Sequence, residues 1–171
     1  ESAVYRISQN IQDRIQGLEN DGMDKGKSTL KGIEEYAAEC AMMKVLGSEV
    51  LDYVTDEGVQ IHGGMGYSAE TIVEKAYRDS RINRIFEGTN EINRMLSVDM
   101  MLKKALKGQI DMMSPAMAVQ QELMAMPDTS QDPTGPYARE LTMIKNMKKM
   151  FLMVAGATVQ KYMQALADEQ E

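Results

Sequence analysis

Tryptophan is missing from the 171 residues, phenylalanine occurs twice, and cysteine and histidine occur once each. A lone cysteine, Cys40, excludes an internal disulfide and a cluster of thiolate metal ligands, and a reducing compartment suits it. Basic charge is also short: 19 Lys and Arg face 26 Asp and Glu, for a net charge of −7. The cationic footprint of a nucleic-acid-binding protein is therefore lacking. No apolar run approaches the ~20 residues that a membrane-spanning helix needs. No cationic start followed by a short apolar run indicates a signal peptide.

What is present is methionine, at seventeen residues, which takes over core filling from the scarce aromatics. Hydrophobic residues at 43% and charged residues at 26% are ordinary for a globular chain. The length suits one domain, with or without an appendage. Because the chain opens at Glu1 directly on a helical pattern, without an initiator Met, it is expected to be a fragment with residues missing upstream.

Val4, Ile7, Ile11, Ile15 and Leu18 recur at steps of three or four and predict an amphipathic helix. The pattern dissolves in the glycine-rich, charged stretch from Gly17 to Gly32. A second stripe runs through Tyr36, Cys40, Met43, Leu46, Val50 and Val54 and predicts a longer helix. Gln60-Ile61-His62-Gly63-Gly64-Met65-Gly66-Tyr67 carries three glycines in four positions and reads as a tight turn or a close backbone approach. Helical signals resume after Ser68, taken as an N-cap, through Ile72, Val73, Ala76 and Tyr77. They pause at Glu87-Gly88-Thr89 and return through Ile92, Met95, Leu96, Met100 and Leu106. All four prolines lie between Ser114 and Pro136 and mark a turn-rich connection. Beyond it, Ile144, Met147, Phe151, Val154, Ala155, Thr158 and Tyr162 predict a last helix opposite a face bearing Lys145, Lys148, Lys149 and Lys161. No strand alternation is sustained, so the expected class is all-α, a helical bundle with an additional C-terminal helical segment.

Two loops carry chemistry. Glycines at 63, 64 and 66 let backbone N–H groups approach an anion such as phosphate, or they merely cap a helix and turn the chain. Glu87, between Phe86 and Gly88, has an apolar collar whose burial would raise its pKa toward that of a general base. Considered alone, a glutamate at such a place is more often a surface residue favoured by a helix start. Arg78, Asp79, Arg81 and Arg84 suit an anion site or, with better reason, a structural charge network. Met42-Met43, Met100-Met101 and Met112-Met113 can line an apolar tunnel or, by the safer default, fill helix interfaces.

Taken together, Glu57 to Leu96 closely resembles the last catalytic segment of the acyl-CoA dehydrogenases. The features are the loop Gln60, Gly63, Gly64, Gly66, Tyr67, then Glu74-Lys75 with Arg78-Asp79, then Arg81-Ile82 with Ile85-Phe86-Glu87-Gly88-Thr89. Residues 1–56 and 97–111 are compatible with flanking helices of the same bundle. Residues 112–171 resemble in outline the extra tail of very-long-chain members. The division expected is a helical bundle over 1–112, incomplete at its N-terminus, a linker over 113–136 and a helical tail over 137–171.

The resemblance implies FAD as cofactor and α,β-desaturation of fatty acyl-CoA thioesters. It makes Glu87 the catalytic base and places Gly88 against the acyl thioester. It implies that Gln60, Ile61, His62, Gly63 and Gly64 line the FAD of a neighbouring subunit, while Thr89 and Glu91 approach the flavin of their own. His62 is also readable as an exposed turn residue without a titrating role. No metal is implied. The implied partners are an acyl-CoA substrate, an electron-transfer flavoprotein and further copies in a homodimer or homotetramer, with a weaker hypothesis of membrane contact by the tail. The compartment would be cytoplasmic in a bacterium and the mitochondrial matrix in a eukaryote. The fragment by itself is expected to be inactive. An acyl-CoA oxidase or a non-catalytic helical assembly module are the other functions these residues allow.

Overall fold

The computed structural model describes residues 1–124, 134–162 and 165. The parts of the expected linker and tail at 125–133, 163–164 and 166–171 lie outside them. The described residues form seven α-helices and no strand, the all-α class that the periodicity predicts. They fall into two compact units, Glu1–Lys103 and Lys104–Glu171.

The first unit opens on a helical hairpin, α1 (Ser2–Asn20) and α2 (Lys25–Glu35). Gly22 turns the chain with φ 87°, and the Asp24 carboxylate caps α2 by accepting the backbone N–H groups of Gly26 and Lys27. The two helices touch closely, since a Cβ on Gly32 would lie 2.5 Å from Cγ1 of Ile15. Arg14 bonds Glu35 across the pair at 2.6 Å. The stretch after Gly17 therefore contains a helix where the hydrophobic pattern dissolved. The buried positions of α2 are Ser28 and Gly32, which are small and leave no apolar stripe to read.

The spine of the unit is α3, Ala37–His62. It buries Ala38, Ala41, Val45 and Ser48, whereas Leu46, Val50 and Val54 of the expected stripe stand exposed. The helix is apolar around most of its girth, so periodicity finds the helix without choosing its packed side. A 3-10 turn, Gly63–Tyr67, reverses the chain into α4, Ile72–Arg81. Ser68 closes that turn rather than capping α4, and the hydroxyl of Thr71 donates back to the carbonyls of Met65 and Ser68.

Helix α4 and the short 3-10 turn Ile82–Arg84 run antiparallel along α3. Val73 stands beside Gly58, the Thr55 and Ser80 hydroxyls are 3.0 Å apart, and Arg84 meets Asp52 at 3.0 Å. The loop 85–89 is thereby returned to the N-terminal half of α3, where α5 (Asn90–Leu106) begins. The buried face of α5 carries Asn90, Asn93 and Ser97, while Ile92, Met95 and Leu96 are exposed.

In the second unit α6 (Met113–Met124) packs against α7 (Ala138–Tyr162), with Val119 buried and Glu122 paired to Lys149. The expected linker thus begins with three turns of helix. Pro115 lies in the first turn of α6, where a missing N–H breaks no helical bond, and Asp111 accepts the backbone N–H of Ser114 at 3.0 Å.

Candidate active site at the Glu87 loop

Glu87 and Gly88 both adopt left-handed backbone, φ 55° and 81°. Glycine takes that conformation freely, whereas a residue with a Cβ is disfavoured there and needs its surroundings to hold it. The hold is visible at the Gly88 carbonyl. Its oxygen accepts from Lys44 Nζ at 2.7 Å and from Asn93 Nδ2 at 2.9 Å.

Lys44 also donates to Asn90 Oδ1 at 2.9 Å. Asn90 is almost fully buried, and its Nδ2 donates to the Ser48 hydroxyl at 2.9 Å. Ser48 in turn donates to the Val45 carbonyl at 2.9 Å. The Ser48 hydroxyl also lies 3.1 Å from Asn90 Oδ1, and the amide orientation is set by Lys44, which can only donate and so must face Oδ1. Helix α5 is capped on the same loop: the Thr89 hydroxyl accepts the N–H of Ile92 at 3.2 Å. Glu91 is held below the usual carboxylate range by its own backbone N–H, then by the Thr89 hydroxyl, with Arg94 and Arg84 nearby.

The collar expected around Glu87 is not supplied by its neighbours here. Glu87 itself is exposed, and Ile85 and Phe86 remain about half exposed at 49% and 44%. Its own loop therefore leaves the carboxylate unburied. The loop instead presents the carboxylate outward on a braced turn, with apolar side chains beside it.

The glycine loop lies at the other end of α3. Gln60, Ile61, His62, Gly63 and Gly64 are all exposed, and Ile61 is 80% so. The three glycines differ in kind. Gly63 ends α3 with φ 57° and ψ −143°, a combination open to glycine and closed to a residue with a Cβ. Gly66 is buried so tightly that a Cβ would lie 2.6 Å from the Val59 carbonyl oxygen. A Cβ on Gly64 would meet nothing within 4 Å, so no contact among the described residues requires glycine there. His62 Nδ1 is 2.8 Å from the Gly58 carbonyl, which leaves Nε2 facing outward on the exposed ring.

From Lys44, beside the Glu87 loop, to His62 is eighteen residues of helix, roughly 27 Å along the axis. The structure thus brings Gly88, Thr89 and Glu91 together with Glu87 and keeps Gln60 to Gly64 well apart from them. Arg78 is engaged by Glu74 at 2.9 Å, which raises its pKa, and Arg84 is engaged by Asp52. Both pairings fit the structural reading of those arginines. Among the described residues no group of His, Cys, Asp and Glu could hold a metal ion.

Sequence reasoning passed over Lys44, Ser48 and Asn93. The available signal was a cation inside the apolar run Ala41-Met42-Met43-Lys44-Val45-Leu46, a place where lysine is uncommon unless it has a partner.

Comparison with known proteins shows the family of the chain and its fold. A family model described as the C-terminal domain of acyl-CoA dehydrogenase matches residues 14–102, and a second model of the same description matches 146–171. A probable acyl-CoA dehydrogenase of Bacillus subtilis is 48% identical over all of this chain, which spans 29% of that protein. The very long-chain specific acyl-CoA dehydrogenase of rat mitochondria is 51% identical over 65 residues, 38% of this chain and 10% of that one. The crystal structure of an acyl-CoA dehydrogenase complexed with FAD from Bacillus anthracis superposes with a TM-score of 0.90 at 48% identity, covering 99% of this chain and 29% of that one. The chain belongs to the acyl-CoA dehydrogenase C-terminal domain family.

Proposed function

We propose that this chain is the C-terminal helical part of an FAD-dependent acyl-CoA dehydrogenase, in which Glu87 removes the α-proton of a fatty acyl-CoA thioester. The observation that carries this is the braced left-handed turn at Glu87-Gly88 in a chain of this family. An outward-facing carboxylate on a rigid turn can meet a substrate, and Gly88 leaves room for the thioester beside the main chain.

A thioester α-proton is too weakly acidic for an unaided carboxylate. The carbonyl must be polarised as enolate charge develops, and the backbone N–H of Glu87 is the donor this chain would contribute. The α-proton passes to the Glu87 carboxylate, and the electron pair of that C–H bond forms the α,β double bond as the β-hydrogen departs with its own pair. FAD, when bound, accepts that β-hydrogen as hydride. Thr89 and Glu91 would lie against the flavin of their own subunit.

Gln60, Ile61, His62, Gly63 and Gly64 would line the FAD of a neighbouring subunit. Two features support that assignment. Gly64 is a glycine that no contact among the described residues requires, as expected where another molecule approaches the backbone. The separation of roughly 27 Å along α3 makes it hard for both loops to serve the same part of one cofactor. The working protein is then at least a homodimer, and an electron-transfer flavoprotein is the partner that would take electrons from the reduced flavin. Glu87→Gln in the full-length flavoprotein tests the reading. Flavin should stay bound while desaturation falls by several orders of magnitude. A loss of about tenfold or less, ~1.4 kcal/mol of barrier, would remove Glu87 from the base role.

A further inference from the structure

We propose that Lys44, seconded by Asn93, is a positioning residue that holds Glu87 in its working conformation; this rests on the reading of Glu87 as the base. Glu87 must keep a left-handed backbone that its Cβ disfavours, on a loop where both it and Gly88 are exposed. The Gly88 carbonyl is fixed from two directions, by Lys44 Nζ at 2.7 Å and Asn93 Nδ2 at 2.9 Å. A carbonyl oxygen has two lone pairs, so these two donors can saturate it.

The clamp is itself anchored. Lys44 stands on α3, one helical turn before Ser48, and its second hydrogen bond goes to buried Asn90, whose amide is tied to Ser48. The ammonium is thus held at both of its contacts, and the first residue of α5 is joined to the same group. A charged donor on a neutral carbonyl makes a stronger bond than the asparagine amide does, so Lys44 carries the larger share. Displacement of Gly88 away from α3 would carry the adjoining Glu87 and its carboxylate with it, and reacting groups misplaced by an ångström lose rate steeply.

A brace that only stabilised the fold would show itself in melting temperature and flavin content. A positioning brace shows itself in kcat. In the full-length flavoprotein, Lys44→Met should bind a full complement of flavin and keep KM within about threefold of wild type, while kcat falls by ~10- to 100-fold. Exchange of the substrate α-hydrogen with deuterium from solvent should slow in parallel, because that step reports proton removal by itself. A kcat within about threefold of wild type, or a kcat that falls only in proportion to lost flavin, overturns the proposal. Glu87→Gln, run alongside, separates the two ideas: if it still turns over, the base assignment fails whatever Lys44→Met does. Should Lys44→Met not fold, Lys44→Gln shortens and neutralises the donor to the same carbonyl, and unchanged kcat and exchange there overturn the proposal equally.

Discussion

Gly66 lies so close to Val59 that a Cβ on the glycine would fall 2.6 Å from the valine carbonyl oxygen and 2.9 Å from its Cα. Both atoms are backbone of α3 and cannot swing aside. Gly66→Ala should therefore open the 3-10 turn from the helix and cost about 1–3 kcal/mol, read as a lowered denaturation midpoint. Equal stability of the alanine variant would show that the turn shifts freely.

Gly64 makes the opposite prediction from two residues away. Open space surrounds its missing Cβ, so Gly64→Val should leave thermal stability nearly unchanged. In the full-length protein the same substitution should weaken FAD retention, measured as the flavin-to-protein ratio after dialysis. A full flavin complement would return Gly64 to the role of a plain turn residue.

Asn90 is almost fully buried and joins Lys44 to Ser48. Asn90→Leu leaves the Ser48 hydroxyl and one contact of the Lys44 ammonium without that partner, and the expected loss is about 1–3 kcal/mol in chemical denaturation. A neutral result would mean that the apolar side chain repacks without cost.

Thr89 caps α5 through its hydroxyl on the Ile92 N–H. Thr89→Val, nearly the same shape without the acceptor, should lose about 0.5–2 kcal/mol, whereas Thr89→Ser should retain most of the cap. Equal losses in the two variants would point to the methyl group and away from the hydroxyl.

Asp111 is held below the ordinary carboxyl range by the backbone N–H of Ser114, then by the Ser114 hydroxyl and the N–H of Met113. Folding thus favours the ionised form. Its contribution to α6 is present above the unfolded pKa, about 3.9, and is lost as pH falls through the lower folded value. The melting temperature should fall less steeply below about pH 4 for Asp111→Asn than for wild type. Identical slopes would remove Asp111 from the acid response.

Much of the helical content was legible in the sequence because a helix needs only local bonds and a repeat of three to four residues. Val4 to Leu18 marked α1, Tyr36 to Val54 marked α3, and Glu87-Gly88-Thr89 marked a break between helices. The Glu57–Leu96 motif also sufficed to identify the family, since so many residues at fixed offsets define one segment. Sequence by itself could not say which side of each helix is packed. Leu46, Val50 and Val54 form the more apolar stripe of α3, yet Ala38, Ala41, Val45 and Ser48 are the buried ones. On α5 the buried face is the polar one, Asn90, Asn93 and Ser97. Small and polar residues pack wherever a neighbour arrives at the right distance with a matching donor or acceptor, and only the tertiary structure supplies that neighbour. Lys44 and Gly88, 44 residues apart, are brought together because α4 returns along α3; no repeat in the sequence encodes that distance.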